Sequence, residues 1–159
     1  MPLAKSLLDG VYEYLVKPVL QQFATIPFAS VCHEFVREMQ KKNALPFRYA
    51  KMGRWMGKTT VRDETMPKGV RIAESEIDLL CISADARQYL LGECKWKTSP
   101  FSYSEYLDTL AKLASLKKTA KFYYALFSES GFDKKIMAEA TQKNTMLYTL
   151  EEMIAEFPL

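Results

Sequence analysis

Two carboxylates and a lysine stand on neighbouring extended segments of this chain. EIDLLCIS (residues 76–83) carries Asp78, and QYLLGECKW (residues 88–96) carries Glu93 and Lys95. Only the short polar stretch 84–87 separates the two segments, so they are expected to form an antiparallel hairpin. Side chains on a strand alternate between faces with period two. With the turn centred between Asp85 and Ala86, paired positions sum to 171, and Asp78 lies opposite Glu93. Directly opposed side chains have Cβ atoms about 5 Å apart. This register buries Ile77, Leu79 and Cys81 together with Leu90, Cys94 and Trp96. A slip of one residue would send the two acids to opposite faces.

Two carboxylates held that close repel each other. Either one takes up a proton or a cation neutralises the pair. A hard divalent ion, Mg²⁺ or Mn²⁺, does so through one or two carboxylates, with water and phosphate oxygens completing its shell. Lys95 lies two residues past Glu93 on the same face. Its ammonium is placed to hold an attacking water or to steady charge developing on a phosphate. Carboxylate, carboxylate and lysine around one cation is what phosphodiester hydrolysis requires. The competing reading is a set of ordinary cross-strand charge pairs, balanced by Lys95 and Lys97 on a solvated sheet. The apolar strands around Asp78 and Glu93 favour the site, because charges are rarely kept in such surroundings without a reason.

The elements that must position these residues follow from periodicity. Residues 4–16 carry Leu7, Leu8, Val11, Tyr14 and Leu15 at helical spacing, and Pro18 should end or kink that helix. In residues 28–42, Val31, Cys32, Phe35, Val36 and Met39 form one apolar stripe, with Glu34, Arg37, Glu38 and Lys41 off it. Residues 46–56 read as an aromatic-rich strand, and the polar residues 57–74 as a loop. After the hairpin, 102–118 reads as a helix capped by Ser102 or Ser104. Residues 121–128 read as a buried strand, 132–143 as a short helix and 146–150 as an edge strand. The order helix, three strands, helix, strand predicts a three-stranded meander with a fourth strand added in parallel through a helical crossover. The fold class is therefore α/β, a mixed sheet with helices on its faces.

Composition narrows the class further. The chain has 159 residues and a mass of 18.3 kDa, which suits one domain. Hydrophobic residues make up 48% and charged residues 26%, which excludes a disordered or fibrous chain. The net charge of +3 permits nucleic-acid binding without arguing for it. Cys32, Cys81 and Cys94 are far apart and form no CxxC pair, so buried free thiols in a reducing compartment are expected. The first twenty residues are broken by Asp9 and Glu13, unlike a signal peptide, and no apolar run is long enough for a membrane span. A cytoplasmic protein is expected.

Other signals are weaker. Gly53 to Thr59 is reminiscent of a phosphate-binding loop, yet three residues rather than four separate its glycines, and no helix former follows. A basic loop with Arg54, Lys58 and Arg62 reaching phosphates is a better functional reading, and a plain solvated turn fits the same residues at least as well. His33 is the single histidine and has no nucleophile motif beside it. Phe122, Tyr123, Tyr124 and Phe127 read as core rather than as base-stacking platforms.

Asp78, Glu93-x-Lys95 and the helix carrying Glu34, in this element order, resemble the PD-(D/E)XK nuclease superfamily. VCHEFVREM, GRWMGK, EIDLL, GECKW and YALFSESGF are similar to the nuclease-like C-terminal domain of archaeal-type AAA+ ATPases. The resemblance spans roughly residues 28–150 and leaves 1–24 as an N-terminal helical extension. It implies a restriction-endonuclease-like αβββαβ core. It also implies Asp78 and Glu93 as metal ligands, Lys95 as the residue assisting the attacking water, and Mg²⁺ or Mn²⁺ as cofactor. Glu34 matches a position that often completes the metal site, and Glu76 is a looser candidate. Arg54, Lys58 and Lys97 become candidate nucleic-acid contacts. DNA is the implied substrate and an AAA+ ATPase the implied partner, in cis or in trans; a homo-oligomer is compatible with either. Two departures stand out. Ile77 occupies a position that is often proline, and the upstream ATPase and winged-helix segments of full-length relatives are not in these 159 residues. The alternative is a catalytically silent nuclease-fold module that regulates or docks an ATPase.

Overall fold

The computed structural model describes residues 28–116 and 119–157. The helical extension expected over 1–24 lies outside the described residues. Helix α1 (Phe28–Lys41) buries Phe28, Cys32, Phe35 and Val36, a stripe at i, i+4, i+7 and i+8. Three strands follow: β1 (Tyr49–Arg62), β2 (Val70–Ser83) and β3 (Gln88–Lys95). Next come α2 (Tyr103–Ala114), β4 (Lys121–Ser128), α3 (Lys134–Ala140), β5 (Thr145–Thr149) and α4 (Leu150–Glu156).

The five strands form one mixed sheet in the order β1-β2-β3-β4-β5. β1, β2 and β3 pair antiparallel, while β4 runs parallel to β3 and β5 parallel to β4. Each parallel step needs a long connection, which α2 and α3 supply. Helices cover both faces. On one face, α1 packs Cys32, Phe35 and Val36 on Leu79, Cys81, Leu90 and Phe127, and Leu150 and Met153 of α4 join that cluster. On the other face, Leu113 of α2 meets Ile77 and Leu91, and Tyr106 of α2 meets Leu126 and Ile136.

Two sequence expectations need correction. Residues 57–74 are mostly strand rather than loop: β1 runs on to Arg62 and β2 begins at Val70. Thr59, Thr60, Val61, Val70 and Ile72 are β-branched and suit a pleated ribbon, in which Thr59 is buried and Ile72 is exposed. Only 63–69 turns, and there Asp63 Oδ1 accepts from the backbone N–H and hydroxyl of Thr65. Gly57 lies under the indole of Trp55, where a Cβ would sit 2.7 Å from the ring. The helix expected over 132–143 is α-helical only to Ala140, then 3₁₀ over Thr141–Lys143, and it stops at left-handed Asn144 (φ +52°). Asn tolerates that conformation better than most residues.

β1 and β2 pair as far as Arg62 and Val70, whereas β2 and β3 pair only over Leu79–Ile82. The outer half of the β1–β2 hairpin thus runs past the sheet. Arg62 ties it back to α2, reaching Ser104 O at 3.2 Å and Asp108 Oδ1 at 3.3 Å.

Candidate active site

The hairpin register is the expected one. Leu79 pairs with Gly92, Leu80 with Leu91, Cys81 with Leu90 and Ile82 with Tyr89. Each pair sums to 171, and the ladder stops one residue short of Asp78 and Glu93. There the strands part, and the Asp78 side chain fills the gap: Cys94 N–H donates to Asp78 Oδ2 at 2.9 Å. The partner on the other side of β2 adds a distortion at the same point. Gly53 pairs with Leu80 but Trp55 with Ile77, so Asp78 and Leu79 together oppose Arg54 alone. Such a bulge re-aims side chains and often sits beside functional groups. It also inverts the expected face of Ile77, which packs with Leu80, Leu91 and Leu113 on the α2 side rather than with Leu79 and Cys81. Glu76, by the same inversion, pairs across from Met56 and leaves the face of Leu80. His33 on α1 supports the bulge from the opposite face, with Nε2 2.6 Å from Asp78 O.

Glu93 points to the α2 face and is only 7% exposed. Burial pushes its carboxyl above the ordinary value of 4.5. The Lys112 ammonium opposes that shift, and the charge of Asp78 adds to it. Because Asp78 Oδ2 accepts from the amide that follows Glu93, the two acids flank one peptide unit. Lys112 Nζ lies 2.6 Å from Glu93 Oε2, a close ion pair, and it also donates to Glu76 O at 3.0 Å. Lys95 shares the face of Glu93. Its Nζ is 3.9 Å from Glu105 Oε2 and 5.9 Å from the Phe101 ring centroid. Glu105 also pairs with Lys97 and closes the capping box of α2, with Ser102 Oγ accepting from Glu105 N.

Glu34 is not brought to this pair. It is exposed on the outer side of α1 and pairs with Arg37 one turn on. The reason is rotational: Cys32, Phe35 and Val36 fix the buried side of the helix, His33 falls at its flank, and Glu34 turns a further 100° into solvent. Arg54 and Lys58 are also displaced. They share a strand face with Met52, which packs toward α1, so they project from the face opposite Glu93, and the Arg54 guanidinium pairs with Glu76. Of the three basic residues expected at nucleic acid, Lys97 alone stands beside Lys95. Lys112, Glu105 and His33 are neighbours that sequence reasoning did not assign to the site. Only Glu105 left a signal, in the Ser102-x-x-Glu105 pattern.

The oxygen-only donor set of Asp78 and Glu93 suits a hard divalent cation. Among the described residues no third His, Cys, Asp or Glu gathers with the pair. A cation here would be held by Asp78 and Glu93, with water or phosphate oxygens completing its shell. Also among the described residues, no helix is long and apolar enough to cross a membrane.

Sheet, helices and carboxylate pair together define a mixed α/β domain with a candidate acidic site at a strand fork. The chain belongs to the DUF234 family, archaeal and bacterial proteins of unknown function, whose model matches residues 4–109. It is 28% identical over 97 residues to the uncharacterized protein MJECL04 of Methanocaldococcus jannaschii, covering 60% of this chain and 19% of that protein. The chain thus spans about a fifth of the length of that curated relative. The solved structure of protein VC1899 from Vibrio cholerae superposes with a TM-score of 0.50 at 19% identity, covering 80% of this chain and 30% of that one. That likeness concerns the fold. The protein of unknown function AF1548 gives a TM-score of 0.49 at 14% identity, over 77% of this chain and 57% of that one.

Proposed function

We propose that this domain is a Mg²⁺- or Mn²⁺-dependent nuclease of the PD-(D/E)XK type, with a restriction-endonuclease-like core, acting on or binding DNA. The observation that carries this reading is the strand fork, where Asp78 Oδ2 accepts from the amide that follows Glu93 and Lys95 shares the Glu93 face. The element order from α1 to β4 supports it as well. When bound, the cation supplies an activated water and a Lewis acid for the phosphate. Asp78 would hold it from β2, where the Cys94 amide orients the carboxylate. Glu93 would hold it from β3, where burial keeps bulk water from competing. Lys95 would leave Glu105 to hold a water or a phosphate oxygen, and Lys97 would meet the backbone phosphates beyond it. An AAA+ ATPase remains the proposed partner, in cis or in trans.

A second reading, a silent nuclease-fold module of an ATPase, draws on the same geometry. Lys112 already neutralises Glu93, and Glu105 already engages Lys95. Cleavage of supercoiled, linear and branched DNA, assayed with Mn²⁺ and Mg²⁺, separates the two. Metal-dependent cleavage that vanishes in Asp78→Ala supports the nuclease. No cleavage, together with no Mn²⁺ binding by calorimetry, supports the silent module.

A further inference from the structure

We propose that Lys112 is a resident counter-cation at Glu93 which a divalent metal ion must displace, so that loading of the site is limited by one side chain of α2. The inference rests on the metal-site reading above and concerns its regulation. Lys112 Nζ is held by two elements at once, Glu93 Oε2 of β3 at 2.6 Å and the Glu76 carbonyl of β2 at 3.0 Å. The contact is sheltered: the Lys112 side chain is 18% exposed and that of Glu93 9%. Sheltered charges are poorly screened, so an ammonium and a divalent ion exclude each other at one carboxylate. The other charges that act on Glu93 are Asp78, which a cation would neutralise, and Lys95, whose influence is weaker.

Displacement needs no movement of the helix. A lysine has a flexible four-carbon stem and a compact head. Lys112 sits in the last turn of α2, where the helix dipole favours a cation, and solvent is at hand. Two states follow: ammonium on Glu93 with the site closed to metal, or ammonium at the helix end with the site open. An anionic phosphate arriving at the site would draw the lysine off Glu93 and admit the metal together with the substrate.

The test is calorimetric titration of Mn²⁺ into the 159-residue chain as wild type, Lys112→Met, Lys112→Arg and Asp78→Ala, with circular dichroism to check the fold. Lys112→Met should bind Mn²⁺ roughly tenfold more tightly than wild type, the low end of couplings between close charge pairs. Lys112→Arg should stay near wild type, and Asp78→Ala should not bind. A merely structural lysine would not give tighter binding on removal. Equal or weaker binding by Lys112→Met overturns the proposal and leaves Asp78 and Glu93 as the site. Absence of binding in both wild type and Lys112→Met overturns the metal site and this proposal together. Should Lys112→Met fail to fold, Lys112→Gln retains a donor for Glu76 O and serves the same comparison.

Discussion

The backbone N–H of Cys94 donates to Asp78 Oδ2 at 2.9 Å, at the point where the β2–β3 ladder ends. The carboxylate therefore does the work of a missing backbone acceptor while keeping its charge near Glu93. Structure and charge are separable by substitution. Asp78→Asn keeps an acceptor for Cys94 and should lose Mn²⁺ binding with little loss of stability. Asp78→Ala should lose both, with a stability cost of about 1–2 kcal/mol for the unpaired amide. Urea unfolding and metal titration of the two variants check this. Equal stability of the two would mean that the Cys94 bond contributes nothing.

Lys95→Ala should reduce any metal-dependent cleavage on the order of 10²–10³-fold, as expected on losing one donor to transition-state charge. Its ion pair with Glu105 is 3.9 Å long and about a third exposed, so the stability cost should stay below about 1 kcal/mol. Rates with plasmid DNA and Mn²⁺, measured beside wild type, decide. Unchanged rates would remove Lys95 from the mechanism.

Glu93 makes stability depend on pH in a definite direction. Its carboxyl is shifted upward by burial from 4.5, so the folded state holds this proton more tightly than the unfolded chain. Below 4.5 both states are protonated and the group is neutral in effect. As pH rises through 4.5 toward the higher folded value, the unfolded chain ionises first and stability from this group falls. Glu93→Gln mimics the neutral form. Its melting temperature should match wild type in acid and exceed it increasingly toward neutral pH. A gap that does not grow with pH would show that Lys112 fully offsets burial.

Gly92 is required by the close approach of β2. A Cβ there would lie 2.9 Å from Leu79 Cβ and 3.2 Å from Phe127 Cε2. Gly92→Ala should cost about 1–3 kcal/mol, the range for overpacking a core. Thermal unfolding measures it, and a loss under about 0.5 kcal/mol, the usual scale of a surface change, would mean the strands shift apart freely.

The elements α1, β3 and β4 were legible in the residues themselves, because each depends on local periodicity. The β2–β3 register was legible for the same reason: a short polar loop between two alternating segments leaves few ways to pair them. The 171 pairing and the shared face of Glu93 and Lys95 followed. Tertiary structure alone decided the rest. The bulge at Asp78 and Leu79 reverses the parity of β2, so Ile77 and Glu76 swap the faces that simple alternation assigns. Packing of Cys32, Phe35 and Val36 sets the rotation of α1, which turns His33 to β2 and Glu34 to solvent. The crossover helix brings Lys112 to Glu93 from nineteen positions away, a contact set by the angle at which α2 crosses the sheet. Periodicity reports which side of its own element a residue occupies. Which charge it meets there depends on a neighbouring element, and only the packed fold determines that.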